Sequence, residues 1–427
     1  MILARPTLGS LAVLLAPAFV TGPVMAQEGG RLVSFDLSQR FEANSNVDLD
    51  PGVEDESALL STTRLGFGIT SATPISTLGL QLGGLYREDF RDTESSGFEG
   101  PDASLSYDRR GANSGFSFGA GYSSQDVDYL DAFDLTDFVD ETGELPPDFN
   151  DFEDAFERTG TRESLRVNTT LSYGTDGPYG VSVSLSGRDV SYSDLSEGST
   201  LEDARDFNAS VTGRIDLNPV ISTSTTLRYR YAEEGDDVEE TTGLGFGVDY
   251  RQAIVTYSTS FDVNRVDEGT RIGLSGGIAR DFAGEGRLSL NLGLVQTAND
   301  DLTWNGSAAY SQPLDPVSNV NVTFRRAVSS DPEEGETANT VLSAGYTRSL
   351  SRLTSLGINA QFARTEDLDI DATDTTGRVS ATLSRQLTRD WSLTGGLSHT
   401  FREEDDLGSA SSESVFVQIG RSFVSPF

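Results

Sequence analysis

The chain has 427 residues, with 31 basic against 67 acidic side chains, one histidine, no cysteine and 36% hydrophobic residues. A mean hydropathy of -0.31, with no run after residue 26 near the roughly 18 to 20 apolar residues of a membrane helix, excludes a helical membrane protein. The missing cysteines remove disulfide frameworks, thiolate metal sites and Cys nucleophiles, and a net charge of -36 makes nucleic acid an unsuitable partner.

Arg5, the apolar run 8–20 and the small residues Val24 and Ala26 form a secretory signal over residues 1–26, with cleavage expected after Ala26. From Leu32 onward the pattern has period two. Leu165, Val167, Leu171 and Tyr173 alternate with Arg166, Asn168, Thr170 and Ser172, and Leu288, Leu290, Leu292 and Leu294 alternate with Ser289, Asn291 and Gly293. Alternation at 180° per residue places the two sets on opposite faces of a sheet. The same signal recurs in chain order at 33–41, 65–69, 78–86, 103–107, 116–122, 165–173, 181–185, 207–217, 225–231 and 244–250. It continues at 255–263, 272–278, 288–294, 302–310, 320–324, 342–346, 356–362, 379–387, 391–401 and 415–423, which predicts about 20 strands, with 18 as the lower bound.

The connections fall into two series. Short ones, rich in turn residues, are expected at 71–74, 111–115, 175–178, 218–219, 283–286, 314–316, 351–352 and 389–390. Longer acidic ones are expected at 43–56, 88–101, 125–160, 194–203, 233–240, 329–337, 365–374 and 404–411. Tight turns at one rim and long loops at the other suit a barrel better than a two-sheet sandwich, and about 10 residues of tilted strand cross the apolar band of an outer membrane.

These features, with Val415, Val417, Ile419, Phe423 and Phe427 at the C-terminus, resemble the porin-like β-barrel proteins of the Gram-negative outer membrane. The resemblance spans residues 27–427 and is architectural. It implies an all-β, single transmembrane antiparallel up-and-down barrel in the cell outer membrane, with periplasmic turns, acidic extracellular loops and insertion by the barrel-insertion machinery. Arg421 and Ser425 on the phase of Phe427, and Pro426 beside it, depart from the usual terminal signature.

The segment 125–160 lies between the fifth and sixth predicted strands, a position similar to that of the loop that narrows general porins. Its acids Asp148, Asp151, Glu153, Asp154 and Glu157, with Phe149, Phe152 and Phe156 at helical spacing, make it a candidate constriction or lid; a solvated outer loop is the alternative. Arg166, Arg214, Arg228, Arg230 and Arg325 fall on the polar phase of their strands and are candidate pore-lining cations. They either set ion selectivity or pair with Asp216, Asp249 and Asp262 to stiffen the wall. Asp367, Asp369 and Asp371 form a weak oxygen-donor run for a loop-bound Ca²⁺; Ala372 stands where an EF-hand needs glycine and Arg378 where it needs the final Glu, so it is not an EF-hand. No other cofactor is expected. His399 falls on the lipid phase with no serine two residues on, which argues against a lipase and against any enzyme.

The expected function is passive diffusion of small hydrophilic solutes or ions. The alternative is a non-enzymatic barrel in surface-polysaccharide export or envelope assembly. The expected partners are outer-membrane lipids, the insertion machinery and the solutes, with no nucleic acid and with homo-oligomerisation open.

Overall fold

The computed structural model describes residues 30–47, 49, 57–90, 97–127, 160–195, 201–267, 269–282, 284–331, 335–368, 372–404 and 408–426. Its elements are twenty strands. The first ten are β1 (Arg31–Asn44), β2 (Ala58–Ala72), β3 (Ser76–Asp89), β4 (Gly97–Arg110), β5 (Ser114–Asp126), β6 (Thr161–Tyr173), β7 (Tyr179–Ser193), β8 (Ala204–Asn218), β9 (Ile221–Glu234) and β10 (Asp237–Arg251). The second ten are β11 (Val255–Arg265), β12 (Thr270–Asp281), β13 (Arg287–Gln296), β14 (Leu302–Asp315), β15 (Ser318–Asp331), β16 (Gly335–Ser351), β17 (Thr354–Asp367), β18 (Thr373–Gln386), β19 (Trp391–Glu404) and β20 (Gly408–Pro426). Each pairs antiparallel with its sequence neighbours, and β1 pairs with β20 from Leu32↔Pro426 to Asn44↔Ser414, so the sheet closes into a barrel. Closure satisfies the strand amides internally, which is the condition for a sheet to cross lipid. At a strand spacing near 4.8 Å and a tilt near 40°, twenty strands enclose a circle about 40 Å across.

Side-chain phase decides which face is convex. Along β12, Ile272, Leu274 and Ile278 are exposed while Gly273, Ser275 and Gly277 between them are less so, and β13 exposes Leu290, Leu292 and Leu294. Leu292 is the extreme, at 65%. On a closed wall the more exposed set lies on the outer surface, so aliphatic residues look out and small polar residues look in. Aromatic residues mark both ends of this outer band. Tyr107 packs on Phe116 and Tyr250 stacks on Tyr257 near the rim holding the chain termini, and Trp304 stacks on Phe324 toward the opposite rim. Such girdles are what an apolar slab bounded by water selects.

The strands run longer than the pattern predicts, and this corrects the loop assignments. Segment 233–240 is a hairpin in which only 235–236 lie outside β9 and β10, and the Gly235 φ of 54° supplies the tight turn. Strand likewise invades 329–337, 365–374 and 404–411, leaving 332–334, 368–372 and 405–407 between elements. The loop-length asymmetry holds for the connections before β8 and fades afterwards, where β-ribbons continue beyond the apolar band. Polar sequence in these ribbons keeps the backbone pairing of a strand while losing the apolar face that announces one. Residues 148, 151, 153, 154 and 157 of the segment 125–160, the signal at 1–26, the terminal residue 427 and residues 369 and 371 lie outside the described residues.

Candidate functional site

Inward-pointing polar side chains run the length of the wall, and the arginines singled out from the sequence fall among them. Arg166 on β6 sits in register with Arg188 on β7, and Arg188 in turn with Asp206 on β8. Arg230 on β9 donates from Nε to Asp206 Oδ2 at 3.0 Å, and Arg228 from Nη1 to Asp262 Oδ1 of β11 at 3.0 Å. The Arg230–Asp206 pair is the more enclosed, with side chains 10% and 11% exposed. This stretch is a belt of guanidinium groups and carboxylates across β6 to β11, built because each residue stands on the odd or even phase that its strand turns inward.

Arg214 is not part of that belt. It lies near the rim that holds the termini, bonds Asp216 at 2.5 Å and donates to the carbonyls of Gly174, Thr175 and Gly177 at 3.0 to 3.2 Å. A planar fork that reaches three carbonyls fastens the β6–β7 turn to β8, a structural role that suits Arg better than Lys. Arg325 faces inward on β15, between Ser307 and Val341 in register, well away from the β6–β11 belt. The sequence reading offered both selectivity and wall-stiffening for these residues. The geometry gives ion pairs at Arg214–Asp216 and Arg228–Asp262, and Arg251, not named in advance, approaches Asp249 at 3.6 Å.

Several inward contacts were not legible beforehand because they join residues distant in sequence. At the seam, Arg40 of β1 lies 3.7 Å above the Phe416 ring of β20 and pairs with Glu42 at 2.7 Å. Phe416 is an aromatic on the polar phase, 8% exposed, and it rests on Gly396, where an added Cβ would come 2.5 Å from the ring. Glycine is required there by the close approach. Arg64 bonds Asp102 across β2 and β4 at 3.0 Å, whereas the pairs Arg40–Glu42 and Arg402–Glu404 are local, two residues apart on one strand.

The outer face also carries ions near the loop rim. His399 is on the outward phase, as its strand pattern predicts, and its Nδ1 meets Glu413 at 3.1 Å. Arg326 bonds Glu366 at 2.6 Å and stacks 5.1 Å from Trp304, so a cation on the outer phase is covered by its neighbours. Toward the opposite rim, Arg421, the departure in the terminal signature, is covered in a similar way by Phe423 at 4.1 Å and Trp391 at 5.1 Å. A guanidinium between two rings sheds much of the cost of facing an apolar layer. Among the described residues no group of three or more His, Cys, Asp or Glu is placed to hold a metal ion. Asp367 donates its backbone N–H to the Ala372 carbonyl at 3.1 Å, which closes the β17–β18 turn.

Comparison with solved structures bears on the fold. The chain is similar to the ferric-catecholate import receptor Fiu from E. coli K12, with 8% identity over 93% of this chain and 82% of that one and a TM-score of 0.50. It is also similar to the siderophore receptor PirA from Pseudomonas aeruginosa, at 9% identity, 93% and 81% coverage and a TM-score of 0.47. An anion-selective porin from Comamonas acidovorans matches at 13% identity, 93% and 100% coverage and a TM-score of 0.36. The chain has the fold of an outer-membrane β-barrel, a closed antiparallel barrel of twenty strands. No protein-family model matches it, and no curated protein does either. The similarity is therefore one of fold.

Proposed function

We propose that the barrel is a water-filled channel for passive diffusion of small hydrophilic solutes or ions across the outer membrane. The observation that carries this reading is the continuous inward polar surface of a barrel about 40 Å wide, a span that inward side chains alone do not fill. The wall supports hydration without imposing one sign of charge, because its arginines are interleaved with carboxylates at Arg230–Asp206, Arg228–Asp262 and Arg64–Asp102. The acidic excess of the chain, 67 acids to 31 bases, then biases the mouth toward cations. In this reading residues 1–26 direct export and are removed, the termini and tight turns face the periplasm, and the barrel-insertion machinery places the chain in the outer membrane. The acids at 148, 151, 153, 154 and 157 would add to the negative field at the mouth.

The test is single-channel recording of the mature chain in planar bilayers under a salt gradient. Discrete conductance with a reversal potential on the cation side is the expected result. A properly inserted barrel with no conductance and no uptake of small sugars into liposomes would overturn the reading.

A further inference from the structure

The loop-rim end of the β15–β16 hairpin makes a contact that an upright wall forbids. Glu336 of β16 lies 3.7 Å from Nη1 of Arg271 on β12 and accepts the Ala298 backbone N–H at 2.8 Å. Four inter-strand steps separate β12 from β16, about 19 Å along the wall at 4.8 Å each, more than the two side chains span together. Phase makes the contact stranger still. Glu336, Ala338 and Val328 occupy the outward phase of Leu342 and Phe324, whereas Arg271 points inward beside Ile272. An outward carboxylate reaches an inward guanidinium four strands away only if the upper end of β15 and β16, still paired with β17 at Thr337↔Asp367 but no longer paired with β14 beyond Gly306↔Arg326, has parted from β14 and lies inside the ends of β12 to β14.

Burial agrees with that placement. Leu342, lower on β16, is 39% exposed, as an outward residue should be, but Ala338 is 0%, Glu336 1% and Val328 9% exposed. The inward-phase Thr337 and Asn339 are also buried, as are Arg271, Val295 and Thr297 on the inner side of the facing strands. Both faces of the hairpin end are covered.

We infer that this hairpin end is a built-in constriction of the channel mouth, latched against the inner wall by Glu336 to Arg271 and the Ala298 amide, and that the latch sets the size limit for entering solutes. The inference rests on the channel reading above for its consequence, but the latch itself is a matter of geometry. The constriction loop expected from sequence at 125–160 is a different segment. In the hairpin, the narrowing comes from a strand pair whose outer face has been turned against the barrel's own lining.

The chain has no cysteine, so a single Ala338→Cys reports burial cleanly. A membrane-impermeant maleimide should label Ala338→Cys at least tenfold more slowly than Ser409→Cys, an exposed position at the same rim. Adding Glu336→Ala should remove most of that protection, and Arg271→Gln should do the same from the opposite partner, which guards against misfolding of either variant alone. In bilayers, Glu336→Ala should raise conductance about 1.5- to 2-fold and admit larger sugars. Ala338→Cys labelling as fast as Ser409→Cys overturns the latch. Protection that survives both latch variants also overturns it. Labelling that rises with no change in conductance or exclusion size overturns the role as constriction. A wild-type barrel that conducts nothing, with the labelling contrast intact, refutes the channel reading while leaving the latch supported.

Discussion

Replacing Arg230 by alanine removes the guanidinium from Asp206, whose side chain is only 11% exposed, and leaves its carboxylate the neutral donor Asn208 Nδ2. Removing one partner of a buried ion pair costs about 3–5 kcal/mol. The pair retains some exposure, which places the expected loss near 3 kcal/mol, the low end of that range. A control is available one strand over: Arg205 of β8 and Asp189 of β7 are 2.9 Å apart, but Arg205 is 56% exposed, and an exposed pair is worth about 0.2–1 kcal/mol. Urea titration of the barrel refolded in lipid vesicles, followed by tryptophan fluorescence, reads both. Arg230→Ala should lose several times more stability than Arg205→Ala. The double variant Asp206→Ala/Arg230→Ala should lose less than the sum of its single variants, since each single variant already deletes the contact the two share. Equal losses at the two arginines, or an additive cycle at Asp206 and Arg230, would refute the assignment of this pair as an enclosed wall contact.

Arg214→Ala should free the β6–β7 turn by deleting its three carbonyl contacts. Faster protease nicking within 174–178, with strands β6 to β8 intact by circular dichroism, is the expected readout. Arg228→Ala removes a lumen cation and leaves Asp262 uncompensated, so the reversal potential should move further toward cation selectivity; a shift toward anions would contradict the placement of this pair on the channel wall. Leu292→Arg should destabilise the folded barrel by about 2–4 kcal/mol, the cost of an arginine on the lipid face near the bilayer midplane. Its neighbour Asn291→Arg, on the inner phase, should cost far less in the same urea titration.

The fold was largely legible because the membrane imposes a two-residue period on every span. Rows such as Leu288, Leu290, Leu292 and Leu294 can be read without neighbours, and the strand count followed from them. Beyond the apolar band that signal vanishes. Segments such as 233–240 and 329–337 looked like acidic loops, yet they continue as ribbons held by backbone pairing. The inward phase of Arg166, Arg214, Arg228, Arg230 and Arg325 was equally readable, since phase is local. Their partners were only partly so. Asp216 is two residues from Arg214, whereas Asp206 reaches Arg230 from a different strand, and the Arg40–Phe416 stack exists only because the barrel closes. The Glu336 latch lay furthest from reach, because it depends on β15 parting from β14 at the rim, which no period in the sequence encodes.

Positions 291 and 292 offer the most direct test, because adjacent residues of one strand should see different solvents. With Trp304 and Trp391 replaced by phenylalanine, a single tryptophan at each position in turn can be probed in vesicles. Leu292→Trp should be quenched strongly by lipids brominated deep in their chains and barely by aqueous iodide. Asn291→Trp should show the opposite preference. Equal quenching at the two sites, or bromolipid quenching of position 291 in preference to 292, would contradict a barrel with its aliphatic rows against lipid and its polar rows lining water.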